Sequence, residues 1–262
     1  THSYSSAASD VYKRQSGYFV KSGLPYQSKG NVFYCRGIVL DLYEVMRSTF
    51  AAREFADDII ADESIYKILE NARFAPSGGN RQGWKVVVVR RPEIRENIKN
   101  LIEPVFRRYL AQVRAQESPW NSINATKLTE DQIRETEIPH GFLDRLVAAP
   151  VLLFVFVDLS VVASMDMDLD RVGVISGASI YPFAWNILLS ARNEGLGGTI
   201  TTFGAVYEQE LFKQLNVPDH FAFAAMLPIG KPVKQLTKLA RYKVEEFTTS
   251  ETFDGPALTS DK

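Results

Sequence analysis

Apolar residues recur along this chain with helical period in some stretches and as short β-branched runs in others. Over residues 41–49, Leu42, Val45 and Met46 share one face of a short helix. Asp62 then caps a second helix, whose apolar face is Ile65, Ile68, Leu69 and Ala72 at i, i+3, i+4 and i+7, and Pro76 stops it. The run WKVVVV at 84–89 is short and β-branched and predicts a buried strand. Pro92 opens a helix carrying Ile94, Ile98, Leu101, Ile102 and Val105. Residues 112–140 are polar and weakly patterned, with one helical fragment at 129–137. A second buried strand follows Pro150, over 151–157. Residues 173–194 are apolar nearly all round, which predicts a helix at the centre of the fold, kinked or interrupted at Pro182 and ended by the glycines of 195–198. Two more strands, 199–203 and 221–229, flank a helix over 207–215. From 231 to 262 the chain is charged and Thr-rich with no core pattern, which predicts an arm lying on something else. Four strands among five or more helices predict an α+β or α/β fold.

Composition narrows the chemistry. The 262 residues hold 30 Lys+Arg against 31 Asp+Glu, so a basic nucleic-acid surface or polybasic membrane anchor is not expected. The longest apolar run, 148–157, is too short to span a bilayer, and a cytoplasmic protein is expected. Residues 5–15, SSAASDVYKRQ, resemble the in-frame translation of a sequencing-library transposase adapter, so 1–15 are set aside as an artefact. Residues 16–38 lack any period and are expected to be disordered or non-native, with a start near Val39, Leu40 or Met46. The first 38 residues carry Lys13, Arg14, Lys21, Lys29 and Arg36 against Asp10, which leaves 25 basic and 30 acidic residues, net −5, in the remainder. They also hold Cys35 and His2, so the globular part (39–247, before a polar tail at 248–262) keeps no cysteine and only His140 and His220. That excludes a disulfide framework, a CxxC pair and a His-rich metal site, and points to chemistry carried by a cofactor.

The stretch Ala75-Pro76-Ser77-Gly78-Gly79-Asn80-Arg81-Gln82-Gly83-Trp84 joins the second helix to the first strand. Adjacent glycines let a ligand approach the main chain, and the amides of Asn80 and Gln82 suit the edge of a heteroaromatic ring. A plain helix–strand turn accounts for the same residues. The triad Asp166, Asp168 and Asp170 has the alternate spacing of a calcium loop. Arg171, Val172 and Ser179 break that pattern, and acids favouring a helix N-terminus account for it better, so no metal is expected. His140 and His220 are expected in exposed loops.

The stretch APSGGNRQGW resembles the Ala-Pro-Ser-x-x-Asn-x-Gln-Pro-Trp signature of the FMN-dependent nitroreductase family, with Gly83 where proline is usual. Further parts follow in family order. Residues 46–55, MRSTFAAREF, resemble its Arg-Arg-Ser-x-Arg-x-Phe region. GASIYP at 177–182 with NILL at 186–189 resembles its central helix. GLGGTITT at 195–202 resembles the turn and strand after it, and LPIG at 227–230 the last core strand. The resemblance spans about residues 40–247. It implies an α+β, three-layer α/β/α sandwich around a mixed, mainly antiparallel sheet, with a C-terminal arm. It further implies a homodimer with FMN at the interface. NADPH or NADH would pass hydride to flavin N5, and a small-molecule acceptor such as a nitroaromatic or quinone would take it in ping-pong fashion, with no catalytic side chain. Carried over by position, Arg53 matches the motif's last arginine, while Thr49 and Phe50 stand where the two leading arginines would be. Either Arg47 takes the phosphate contact or the phosphate is held more loosely. Pro76, Ser77, Gly78, Asn80 and Gln82 match the loop on the ribityl chain and ring. Thr201 and Thr202 match the strand over the ring, and Arg241 a late basic residue closing on the phosphate. Two alternatives stay open: a non-catalytic flavin-sequestering protein, and another reaction of the superfamily such as reductive dehalogenation. The segment 104–140, with Tyr109 and Trp120, reads equally as a lid or as a packing hairpin.

Overall fold

The computed structural model describes residues 40–260, so the expectations for the first 38 residues and for the last two lie outside the described residues. Seven α-helices and four strands are present among them: α1 (Leu42–Ser48), α2 (Asp62–Ala72), β1 (Trp84–Val89), α3 (Pro92–Arg114), α4 (Glu130–Arg134), α5 (Phe142–Val147), β2 (Val151–Asp158), α6 (Tyr181–Asn193), β3 (Gly197–Gly198), α7 (Glu208–Leu215) and β4 (Phe221–Gly230). The sheet order is β1-β2-β4-β3, with every named pair antiparallel. An isolated parallel bridge, Ala51 to Gly198, makes the sheet mixed.

β2 sits inside this sheet and is apolar from Val151 to Val157 because both of its faces are covered there. Val151, Leu153, Val155 and Val157 pack with Ile65 and Ile68 of α2 and with Phe183, Ile187 and Ala191 of α6. Leu152, Phe154 and Phe156 pack on the other side with Ile98, Ile102 and Phe106 of α3, Leu143 and Leu146 of α5, and Leu211 of α7. This is the three-layer α/β/α sandwich, an α+β fold. A bulge interrupts the ladder where Val155 pairs with Ala225 but Phe156 pairs with Phe223, leaving Ala224 as the extra residue. Its loose groups are taken up locally: Glu208 accepts from the Phe223 N–H at 2.6 Å, and the Tyr181 hydroxyl donates to the Ala224 carbonyl at 3.4 Å.

Several expectations need correcting. The strand at 84–89 is a sheet edge rather than a buried strand: Val89 alone is buried, and Lys85 and Val88 are exposed. Asp62 does not cap α2; Ala61 holds the cap position, and the Asp62 carboxylate accepts instead from Arg90 at 2.7 Å. On α1 only Val45 of the apolar face is buried, while Leu42 and Met46 are exposed. The strand over 199–203 shrinks to Gly197–Gly198 plus a lone bridge from Thr201 to Met226. The cause lies in the partner strand. Thr201 exchanges both backbone bonds with Met226, so the next such pair would join Thr199 to Pro228, which has no N–H to give. Gly198 meets the Pro228 carbonyl so closely that an added Cβ would lie 2.5 Å from it. Pro182 interrupts the predicted central helix: Ile175–Ser179 form a 3-10 segment, and α6 starts with Pro182 in its first turn. The helix opened by Pro92 runs on through Pro104 to Arg114, so the first part of the expected lid segment is regular helix.

The arm is tied to the body at its root. Pro232 bridges Phe55, the Val233 N–H donates to the Glu54 carbonyl, and the Gln235 amide donates to the Ser48 carbonyl at 2.9 Å. Further out, Tyr242, Phe247, Phe253 and Leu258 are exposed.

Candidate functional site

The loop from Ser77 to Gln82 hangs between α2 and the edge strand β1. Its centre is a 3-10 turn, Gly78–Asn80, in which the Ser77 carbonyl accepts from the Asn80 N–H. Gly79, Asn80 and Gln82 all have positive φ, at 61°, 53° and 50°. For two non-glycine residues that is a strained backbone, and it persists because surrounding bonds hold it. The Gln82 N–H donates to the Ser77 Oγ at 3.0 Å, the Gln82 Nε2 donates to the Asn80 Oδ1 at 3.2 Å, and the Gly78 N–H donates to the Ser179 Oγ at 3.1 Å. The loop therefore keeps its shape while Gly78, Asn80 and Gln82 are exposed. Gly83 has a local reason of its own. A Cβ there would lie 2.6 Å from Val161 Cγ2, because the Asp158 N–H donates to the Gly83 carbonyl at 2.7 Å and brings the turn after β2 against it.

A cavity of about 480 Å³ lies at the opposite edge of the sheet, lined by Arg53, by Thr199–Phe203, and by Phe106, Tyr109, Leu110, Phe142 and Leu146. Its apolar wall is aromatic. Phe106 stacks on Phe142 with ring centres 4.3 Å apart, and Phe203 meets Phe106 and Tyr109 edge-on. Its polar side carries one charge, the exposed Arg53, whose guanidinium donates to the Ala51 carbonyl at 3.2 Å. Thr201 Oγ1 is buried there without a hydrogen-bond partner. An unpartnered buried hydroxyl costs stability, and Thr201 is one of the residues that line this cavity.

The sequence-predicted residues thus fall into separate groups. Pro76, Ser77, Gly78, Asn80 and Gln82 share the loop beside β1, and Arg53, Thr201 and Thr202 share the cavity beside β3. Three strand spacings of ~4.8 Å, about 14 Å, separate the two edges. Thr49 is buried, and its hydroxyl donates to the Val45 carbonyl at the end of α1. Arg47 lies 5.7 Å over the Tyr43 ring on the exposed side of α1. Arg241 sits in the arm and donates to its own neighbour, the Ala240 carbonyl. Trp120 of the segment after α3 lies under the Arg108 guanidinium, 5.0 Å away, and its backbone N–H donates to the Gln112 Oε1.

Of the aromatic wall, sequence reasoning named only Tyr109, as part of a possible lid, and missed Phe106, Phe142 and Phe203. Phe106, Tyr109 and Leu110 stand at i, i+3 and i+4 on α3, a stripe that reads as core, and only the length of the helix shows that it reaches a cavity. It also missed Ser179, which sits 101 residues from the glycine it holds. The acidic triad does not open a helix as expected: residues 165–171 form turns and bends, and the next element is the 3-10 segment Ile175–Ser179. Asp166 is buried, accepts from Arg171 at 2.8 Å and from the Val174 N–H at 2.7 Å, and no metal cluster occurs among the described residues. The bond from Val174 dominates in drawing its carboxyl down to about 2. His140 and His220 are both exposed.

The chain is 27% identical over 198 residues to iodotyrosine deiodinase 1 of Homo sapiens, covering 75% of this chain but spanning only 63% of that protein's length. It is 24% identical over 230 residues to nitrobenzene nitroreductase of Ectopseudomonas oleovorans, covering 79% of this chain and 95% of that one. The crystal structure of oxidized iodotyrosine deiodinase bound to FMN and 3-iodo-L-tyrosine superposes with a TM-score of 0.59 at 23% identity, covering 81% of this chain and all of the other. No helix among the described residues is long and apolar enough to cross a membrane. The model of the nitroreductase family matches residues 46–231, from the end of α1 to the root of the arm and across both halves of the site, and the chain belongs to that family.

Proposed function

We propose that this protein is an FMN-dependent oxidoreductase that takes hydride from NADPH or NADH and delivers it to a small organic acceptor, a nitroaromatic or quinone, in two separate half-reactions. The observation that carries this reading is the cavity beside β3. Thr201, whose buried hydroxyl has no hydrogen-bond partner, lines it together with Arg53 and an aromatic wall. Such a lining fits a planar heteroaromatic ring with a phosphate tail. Arg53 would hold the phosphate as a fork of donors, with Arg47 and Arg241 as further cations. Thr201 and Thr202 would bond the ring edge, and Pro76, Ser77, Gly78, Asn80 and Gln82 would shape and supply the donors for ribityl chain and ring. Bound FMN supplies the hydride chemistry, so the chain needs no nucleophile of its own, in keeping with a globular part free of cysteine. The aromatic wall of Phe106, Tyr109, Phe142 and Phe203 keeps water from the site.

The reading includes a homodimer with the site at its interface. Loop and cavity lie at opposite edges of one sheet, so one copy's loop would complete the other copy's cavity. Leu42 and Met46 of α1 and Trp185 of α6 are exposed and apolar, and a second copy would cover them. It also places the protein in the cytoplasm, with the nicotinamide donors.

A second reading, reductive dehalogenation of a halogenated aromatic, is favoured by the similarity to iodotyrosine deiodinase 1. One experiment separates these readings. The FMN-loaded protein is titrated anaerobically with NADPH and with NADH, and then with nitrobenzene, a quinone or 3-iodo-L-tyrosine, while flavin absorbance is followed. Bleaching by the nicotinamide and recovery with nitrobenzene or quinone is the expected result. Recovery with 3-iodo-L-tyrosine alone selects the second reading, and a flavin that neither nicotinamide bleaches selects a sequestering protein. A colourless protein that gains no flavin absorbance on refolding with FMN overturns the proposal.

A further inference from the structure

Ser77 occupies the N-cap position of the 3-10 turn Gly78–Asn80, with extended backbone at φ −143° and ψ 151°, yet its side chain does not cap that turn. A serine there ordinarily accepts from one of the turn's own first N–H groups. Here its Oγ accepts instead from the Gln82 N–H at the far end of the loop, 3.0 Å away. The turn's first donor, the Gly78 N–H, is satisfied by the Ser179 Oγ at 3.1 Å. Ser179 closes the 3-10 segment Ile175–Ser179, which Ile180 joins directly to α6 and its first-turn Pro182. Two residues on, the Tyr181 hydroxyl donates to the Ala224 carbonyl in the β4 bulge. Two residues beyond that bulge, Met226 exchanges both backbone bonds with Thr201. The segment 179–181 thus has the Ser77 loop on one side and the strand that registers Thr201 on the other.

We infer that Ser179 is a positioning residue for the FMN loop: it caps the loop's turn from a distant element, which frees Ser77 to close the loop on Gln82 and to keep its own hydroxyl proton for the ligand. The inference rests on the FMN reading for its ligand but not for its geometry. A hydroxyl bonded to Gln82 through its lone pair still has one donor left, whereas an alanine at 179 would leave the Gly78 N–H without its partner and the strained φ values of Asn80 and Gln82 with one fewer restraint.

The test uses the full chain as wild type, Ser179→Ala, Ser179→Thr, Ser77→Ala and the Ser77→Ala/Ser179→Ala double variant. FMN affinity is read from quenching of flavin fluorescence, and Gly78 amide exchange is read on the flavin-free protein. Losing one neutral hydrogen bond predicts that Ser179→Ala weakens FMN about five- to tenfold and speeds Gly78 exchange by a similar factor. Ser179→Thr keeps the hydroxyl and is expected within about twofold of wild type on both readouts. Because Ser179 acts through Ser77, the double variant is expected to lose less than the product of the single losses. Unchanged Gly78 exchange in Ser179→Ala, no rescue by threonine, or a multiplicative double variant overturns the inference. A wild-type protein that shows Ser179-dependent exchange but takes up no FMN overturns the functional reading instead and leaves the positioning geometry standing.

Discussion

The two edges of the sheet hold the two halves of the candidate site in opposite states of completion. Beside β1, the Ser77–Gln82 loop bonds to itself: Ser77 to Gln82, Gln82 to Asn80, with Ser179 closing the turn. Beside β3, the Thr201 hydroxyl is buried with no partner, and Arg53 reaches only the carbonyl of Ala51. The first half is shaped before any ligand arrives, and a strained backbone is kept in place for it. The second half carries an unmet hydrogen bond and an exposed cation that a ligand would satisfy. A site divided this way separates preorganisation from attraction, because the residues that set the shape are not those that gain most from binding.

Removing the cation is the largest expected effect. A charge-assisted bond to phosphate contributes more than a neutral one, so Arg53→Ala is expected to weaken FMN about ten- to a hundredfold. Asn80→Ala, which removes a neutral amide from the other half, is expected to cost about fivefold. Flavin fluorescence titration of the two variants checks the ranking. Equal losses would erase the distinction between the halves, and a larger loss in Asn80→Ala would reverse it.

Much of the scaffold was legible because it depends on neighbours in sequence. The apolar face of α2, the run that becomes β2 and the break at Pro182 all follow from local period and from proline chemistry. What could not be read depends on residues far apart. β3 is cut short by Pro228 in another strand. The exposure of β1 follows from its place at the end of the sheet order, which the run WKVVVV does not encode. Within the site, the loop was legible from its glycines and amides. The aromatic wall was legible only at Tyr109, because Phe106 looks like any core residue until Phe142 of α5 and Phe203 close around it. Asp166 read as one of three similar acids, and only the fold shows that it alone is buried against backbone donors.

A sharper comparison comes from removing one hydroxyl from each half. Thr201→Val replaces an unpartnered buried hydroxyl with a methyl group of the same shape. The flavin-free protein is therefore expected to hold its stability or gain about 1 kcal/mol, while losing FMN affinity. Ser77→Ala removes a bonded hydroxyl and is expected to destabilise the flavin-free protein by about 1 kcal/mol. Thermal unfolding of both flavin-free variants checks the opposite signs. If Thr201→Val destabilises as much as Ser77→Ala, then Thr201 is not waiting for a ligand.

A pH-dependent effect concerns the turn that leads to Ser179. Asp166 holds residues 166–175 by accepting from Arg171 and from the Val174 and Ile175 N–H groups, with the bond from Val174 foremost in lowering its carboxyl from 3.8 to about 2. A depressed carboxyl stabilises the fold above its unfolded value, and that stability is lost as pH falls through the folded value. The contribution of Asp166 should therefore be complete above about pH 4 and fade between there and about pH 2. Asp166→Asn removes the charge at every pH, so its stability curve should lie below wild type at neutral pH and converge with it in that acid window. The same substitution should loosen the segment before Ser179, so Gly78 amide exchange should rise at neutral pH without any change at Gly78 itself. A flat difference between the two stability curves from pH 7 to pH 2 would mean that the Asp166 charge does not hold this turn. The capping of the Ser77 loop would then owe its rigidity to Pro182 and the start of α6 alone.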